Sequence, residues 1–270
     1  MTKNLLKSVM QKPVEKKKML DTEELIKKIE SGYTVNRIPK HTKKKTFAPS
    51  TLVYGHGECP RYWYLAFEGN IFTDSATPYS VANMTSGTLS HGRIQKAMMD
   101  SGVARIYKDD EGQDTTEFKI THSDPPIFGY GDGIIDWAGE EIVAEIKTMP
   151  HEPFEYFKTK GSGKKGHLMQ LLIYMKILGK AKGVLIYENK NTHELLVFPV
   201  EVNKTYIEWI DYVFGWLREV RKAWEDKTIP KKNYRSNSKV CKECPVKEAC
   251  NAADVGEIKI ASLEELSETV

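Results

Sequence analysis

Apolar residues recur at helical spacing in a few long stretches and alternate with polar ones in several short stretches between them. Tyr206, Ile210, Val213, Leu217, Val220 and Trp224 return every three or four positions, predicting a core-facing helix over about 204–224. Leu168, Leu171, Leu172, Met175 and Leu178 form a similar stripe over 167–178. A third helix is expected over about 84–101, ending at Gly102, with Leu89, Ile94, Ala97 and Met98 turned inward. Between the second and third lies a β-rich run, 104–108, 116–121, 127–137 and 141–149, broken by Gly and Asp-Pro-Pro turns. Two further strands, 183–188 and 194–200, precede the last long helix. Near the start, Asp21-Thr-Glu-Glu24 has the spacing of a capping box ahead of Leu25, Ile26 and Ile29, with Gly32 placed to end that helix. The order of helices, β-meander, helix, strands and helix predicts an α/β fold around a mixed central β-sheet flanked by helices.

Charge divides the chain. The net charge is +3, yet residues 1–48 hold thirteen Lys/Arg against five Asp/Glu, leaving the remainder at −5. The final twenty residues carry five acids against Lys259. We read 1–48 as a basic extension, 49–250 as the main domain and 251–270 as an acidic tail. A basic arm suits a polyanion through counterion release, and equally suits a solvated tail. No apolar run reaches the roughly 18–20 residues needed to cross a bilayer, and no signal-peptide core follows the N-terminal lysines. A cytoplasmic protein without disulfides is expected, in which clustered cysteines read first as metal ligands.

The stretch richest in chemistry is Phe128-Gly-Tyr-Gly-Asp-Gly-Ile-Ile-Asp136 followed by Ile142-Val-Ala-Glu-Ile-Lys147. In a strand Val143, Glu145 and Lys147 share one face, with Ile142, Ala144 and Ile146 on the other. A carboxylate and an ammonium on an apolar strand are costly to bury without a task. Asp132 can meet Glu145 across a hairpin; Asp136 is an alternative acid on a tighter one. Two converging carboxylates suit Mg²⁺ or Mn²⁺, the metals of phosphodiester hydrolysis. Lys147 would then orient water or offset phosphate charge. The plain alternative is a Glu–Lys pair on an edge strand. His91 is a further candidate ligand, though a lone helical His is often structural. Gln170 and Tyr174, at i and i+4, share a face suited to DNA contacts or to an amphipathic rim. Gly161-Ser-Gly-Lys-Lys165 lacks the spacing of a phosphate-binding loop and reads as a flexible basic loop.

Cys241, Cys244 and Cys250 form a close trio, and Cys59 stands far upstream with no cysteine left over. Zinc usually brings two local pairs. A trio with a distant fourth better matches an iron–sulfur cubane, with zinc kept as the alternative. As a cross-link over so long a loop it would remove on the order of 5 kcal/mol of unfolded-chain entropy, acting as a structural staple.

Taken in order, Cys59-Pro-Arg-Tyr-Trp-Tyr64, His91, Gly129-x-x-Asp132, Glu145-x-Lys147, Gln170-x-x-x-Tyr174 and the closing cysteine trio resemble the RecB-like exonucleases of the PD-(D/E)XK superfamily. The likeness is to the iron–sulfur branch, which includes the CRISPR-associated adaptation nuclease and AddB nuclease domains, and it covers about residues 55–250. Gly131 stands where the superfamily name has proline. The resemblance implies a restriction-endonuclease-like core with an iron–sulfur-stapled terminal region. It also implies that His91, Asp132 and Glu145, with the carbonyl of Ile146, bind Mg²⁺ or Mn²⁺. Lys147 would serve catalysis, Gln170 and Tyr174 would support the site or DNA, and Cys59, Cys241, Cys244 and Cys250 would hold [4Fe-4S]. The implied activity is a DNA exonuclease acting at single-stranded ends, commonly 5′ to 3′, with replication or recombination proteins as partners. Two rivals share these residues: an inactive iron–sulfur DNA-binding adaptor, and a CRISPR spacer-acquisition nuclease.

Overall fold

The computed structural model describes residues 20–37, 43–74 and 76–263. Residues 1–19 and 38–42 of the basic arm and 264–270 of the acidic tail lie outside the described residues. Those described fall into two compact units, 20–37 with 76–83, and 43–74 with 84–263. In the first unit, helix α1 (Thr22–Gly32) starts where the capping box predicts, the Asp21 side chain accepting from the Glu24 N–H at 3.0 Å.

The second unit contains short helix α2 (Pro49–Leu52), then α3 (Pro60–Glu68) and the body of α4 (Pro78–Asp100). The strands are β1 (Tyr107–Lys108), β2 (Asp114–Thr115), β3 (Phe118–His122), β4 (Ile127–Gly131), β5 (Gly133–Trp137) and β6 (Glu140–Met149). Helices α5 (His151–Lys160) and α6 (Lys165–Leu178) lead to β7 (Lys182–Asn189) and β8 (Leu195–Glu201). Long helix α7 (Lys204–Glu225) and small α8 (Lys239–Lys242) and α9 (Lys247–Ala252) follow. Strands β5-β6-β7-β8 form one mixed sheet, parallel only at β6–β7; β3-β4 and β1-β2 are separate antiparallel pairs. The parallel pairing requires a crossover, which α5 and α6 supply. The mixed α/β fold with helices flanking a central mixed sheet is as expected.

The two faces of β6 bury different sets. Ala144 and Ile146, with Val184 and Ile186, pack against Ile94 and Met98 of α4. Val143 and Met149, with Leu185 and Tyr187, face the larger core with α6. Helix α6 is buried on every side from Met169 to Met175, because it lies between the sheet and α7. Its approach is close: a Cβ on Gly183 of β7 would meet Met175 Sδ at 2.6 Å. Helix α7 buries Ile210, Val213, Leu217 and Val220, as its stripe predicts. Among the described residues no helix is long and apolar enough to cross a membrane.

Several expectations need correction. Helix α4 begins at Pro78, six residues earlier than the apolar pattern suggests, and Ala97 and Leu89 face solvent, Leu89 at 71% exposed. Ile94 and Met98 alone of the four supply its buried stripe, since the sheet offers α4 only a narrow apolar strip. The single strand expected over 127–137 is two, β4 and β5, in different sheets and separated by Asp132.

Gly131 owes its identity to this break. In register opposite Phe118, it lies against that ring, and a Cβ there would stand 2.3 Å from Phe118 Cζ. A proline, which the resemblance would put at this position, has no room. Gly131→Ala is expected to cost about 1–3 kcal/mol through overpacking. Urea unfolding would show it, and Phe118→Leu should recover much of the loss; an unchanged midpoint would mean that the ring yields freely.

Candidate active site

The β5–β6 register pairs Gly133 with Ala144, so Asp132 arrives opposite Glu145. Asp132 Oδ2 accepts from the Ile146 N–H at 2.6 Å. Its own carbonyl accepts from Thr116 Oγ1 at 2.6 Å and Gln95 Nε2 at 3.2 Å. Gln95 comes from α4, whose His91 also places Nδ1 3.5 Å from Asp132 Oδ1. Asp132 is therefore held through both its side chain and its backbone. Asp136, the alternative acid, is directed away and forms a two-pronged pair with Arg105 at 2.8 and 2.9 Å.

Glu145 is 1% exposed. Its Oε1 accepts from Lys147 Nζ, while its Oε2 is buried with no hydrogen-bond partner. Burial, then the neighbouring Asp132 charge, push the Glu145 carboxyl up to about 8 despite Lys147. Burial works to lower the Lys147 pKa, but Glu145 and Asp132 outweigh it and the ammonium is held above its ordinary value. Two carboxyl groups thus face one ammonium, and burial beside Asp132 keeps a proton on Glu145 toward neutral pH.

Gln170 and Tyr174 on α6 close the site from the sheet's other core, and both are buried. Gln170 Nε2 donates to the Tyr174 hydroxyl at 3.0 Å, leaving Gln170 Oε1 buried and without a partner. Burial and the Glu145 charge raise the Tyr174 phenol, so it stays protonated. The side chain of Ile146 is buried on the opposite face, so this residue reaches the cluster only through its backbone.

Pattern reading missed His167, Tyr187, Gln95 and Thr116. His167 Nδ1 lies 2.9 Å from the Tyr187 hydroxyl, which also accepts from the Lys164 N–H at 2.8 Å. Burial, then the Lys147 and Lys164 charges, drive His167 down to about 3, so it is neutral. Nothing in the local sequence set Gln95 or Thr116 apart from the polar residues beside them, Lys96, Thr115 and Glu117. On the far side of β6, Glu188 is fully buried and pairs with Arg93 and His193.

All four cysteines line one cavity of about 340 Å³, apart from this cluster, together with His56, Tyr62 and Tyr234. The thiols are free. Burial, with a further contribution from the other thiols, pushes Cys59 up to about 11 and Cys244 up to about 12. Backbone N–H groups of Arg61 and Tyr62 work against burial at Cys59, and that of Val246 does so at Cys244. Four thiols around one cavity, with backbone N–H groups near Cys59 and Cys244 that favour the ionised form, are a donor set that a polycationic cluster would satisfy by taking them as thiolates. Among the described residues no three His, Cys, Asp or Glu side chains are drawn together tightly enough to hold a single metal ion. Around Asp132 and Glu145 two adjoining carboxyl groups, with the buried Glu145 Oε2 unpartnered, are what fit a divalent cation, which would take the place of the proton on Glu145.

No protein-family model matches the chain, and no curated protein does. Among solved structures, the chain is similar to an alkaline exonuclease (LHK-Exo) from Laribacter hongkongensis, with 13% identity, TM-score 0.49, and coverage of 67% of this chain and 91% of that one. LHK-Exo in complex with dAMP gives the same identity and TM-score, over 77% and 95%. A crystal structure named SSO0001 aligns over 86% of this chain and 96% of that one, at 19% identity and TM-score 0.43.

The raised Glu145 carboxyl gives the site a pH signature. Between the ordinary carboxylate value of 4.5 and about 8 the folded protein binds more protons than the unfolded chain, so stability should fall as pH rises through that window. Thermal melts of metal-free protein would show the slope. Glu145→Gln should flatten it and raise the midpoint at pH 8; an unaltered slope would remove Glu145 as its source.

Proposed function

We propose that this protein is a Mg²⁺- or Mn²⁺-dependent deoxyribonuclease, an exonuclease that hydrolyses phosphodiester bonds at single-stranded DNA ends. The observation that carries the reading is Glu145, a fully buried carboxylate with one oxygen on Lys147 and the other without a partner, beside Asp132. An apolar sheet has no packing reason to hold such a group. Asp132 and Glu145, with His91 and the Ile146 carbonyl, would hold the metal, which supplies Lewis-acid polarisation of the phosphoryl group and a hydroxide-like nucleophile near neutral pH.

The chain's own residues account for the rest. Glu145 and Asp132 keep Lys147 protonated, so its ammonium can offset charge on the phosphoryl oxygens and orient the attacking water. Gln95, Thr116 and the Ile146 N–H fix Asp132, so its free oxygen cannot swing away. Tyr174 and Gln170 enclose the floor, the phenol supplying a neutral donor in place of water. His167, uncharged, lets Lys147 remain the positive charge on that side. The cysteine cavity would hold [4Fe-4S], away from the reacting atoms. Cleavage from 5′ ends, and a place in replication, recombination or repair with partner proteins, extend the same reading. Capture of DNA fragments for a CRISPR array is the second reading, and it shares every residue of the site.

End-labelled single- and double-stranded DNA, incubated with anaerobically purified protein and Mn²⁺, Mg²⁺ or EDTA, tests the proposal. Cleavage should require metal, and label position reads polarity. Lys147→Ala should lower cleavage by about 10²–10³-fold while leaving DNA binding near wild type. A wild-type rate would take Lys147 out of the mechanism, and a protein inert with every metal would leave a DNA-binding adaptor. Cys244→Ser should bleach the protein and lower its melting temperature; an unaltered melt would sink the cluster as a staple.

A further inference from the structure

Arg61 is the most deeply buried cation described in the chain, 1% exposed, and it lies two residues after Cys59 on α3. Among the described residues no carboxylate pairs with it. Its guanidinium donates instead to backbone carbonyls: Nη1 to Pro230 at 2.7 Å and Val255 at 3.2 Å, and Nη2 to Cys250 at 3.5 Å, Ala253 at 3.3 Å and Asp254. Its Nε is buried with no partner. These acceptors are the end of α9, which carries Cys250, the segment that follows, and the residue at the start of the closing strand bridge Pro230–Ile258. A helix end leaves carbonyls unpaired, and a planar five-donor fork is the side chain best shaped to gather several at once.

At its other end Arg61 meets the first cysteine. Cys59 is the N-cap of α3, so Arg61 sits in the first turn beside it, and the backbone N–H groups of Arg61 and Tyr62 work against the burial that raises its thiol. One residue therefore joins both halves of the cysteine site, Cys59 and Cys250 being 191 residues apart in sequence, through its place in the first turn of α3 and its guanidinium at the Cys250 carbonyl. A buried cation neutralised only by carbonyl dipoles is expensive, unless a negative partner stands nearby. Four thiolates around an iron–sulfur core carry net negative charge, and cluster potential follows local charge and hydrogen bonding.

We propose that Arg61 assembles the four-cysteine site. Its guanidinium docks the Cys250-bearing segment onto the helix headed by Cys59 without help from a cluster, and its buried charge then offsets that of the thiolates. The first half stands on the carbonyl contacts alone. The second rests on the [4Fe-4S] reading given above. Arg61 is on this account a positioning residue, not a catalytic one.

The test compares wild type, Arg61→Lys and Arg61→Met as full-length protein, reading hydrogen exchange across 246–262, cluster loss to a chelator and reduction potential. Chelator-stripped wild type should keep slow exchange in 246–262. Arg61→Met should exchange there about tenfold faster or more, lose its cluster several-fold faster, and shift to a more negative potential. Arg61→Lys keeps the charge without the fork, so exchange should rise while the potential stays near wild type. Should Arg61→Met fail to fold, Arg61→Lys decides alone: wild-type exchange in it overturns the latch. Free exchange in stripped wild type also overturns it, because the cluster would then be the assembler. An unmoved potential in Arg61→Met overturns the charge role. Wild type that stays colourless after reconstitution with ferrous iron and sulfide would sink the cluster reading itself, and exchange in the metal-free proteins would still judge the latch.

Discussion

The structure is arranged around the difficulty of holding two carboxylates side by side inside an apolar sheet. Left to themselves Asp132 and Glu145 would repel and seek water. They are kept in place because each is fixed from a different direction. Asp132 is fastened by the β6 backbone, Thr116 and Gln95, whereas Glu145 is pinned by the burial of its whole strand and by Lys147. The break between β4 and β5 follows from this. The chain must leave one sheet and enter another at Asp132 for the carboxylate to turn toward β6, and Gly131 lets it do so beside the Phe118 ring. Helix α4 crosses one face with His91 and Gln95, and α6 closes the other with Gln170 and Tyr174.

Such a cluster is a stored expense. The unpartnered Glu145 oxygen and the proton that burial forces onto this carboxyl lower the stability of the metal-free protein as pH rises, and a divalent cation would offset that cost. The large core opposite supplies the compensation. Helix α6, buried all round from Met169 to Met175, and α7 behind it bury a continuous layer, each fully buried Leu, Ile or Phe contributing about 1.5–3 kcal/mol.

The cysteine cavity is a separate construction built from the start of α3 and the segment after α7. Protein contacts already hold that last part: Val246, Ile260 and Leu263 are buried, Trp216 Nε1 donates to the Ala261 carbonyl at 2.8 Å, and Asn233 Nδ2 to that of Ile260 at 2.8 Å. A cluster bound there would be one tie among several, so the loop-closure figure overstates what it alone supplies.

Much of this was legible from residue patterns. Helical and alternating periodicities located α6, α7 and strands β6 to β8, because each has one face, or all faces, turned to a core. The capping residues placed α1, and strand alternation put Glu145 and Lys147 on one side of β6. Pattern reading failed where local sequence is neutral. It extended one strand through Asp132, because the apolar and aromatic residues on either side of Gly131-Asp132-Gly133 read as one run, while the change of partner from β3 to β6 depends on strands elsewhere in the chain. It turned Leu89 inward, since an apolar side chain at helical spacing does not reveal how wide a strip the neighbouring sheet offers. By itself the sequence determined which side chains have chemistry to bring: carboxylates, lysine, thiols and a buried-helix tyrosine. Tertiary structure alone decided which of them meet, that Asp132 and not Asp136 faces Glu145, and that Arg61 is buried among carbonyls. Those outcomes depend on contacts between residues far apart in the chain, and no local pattern encodes such distances.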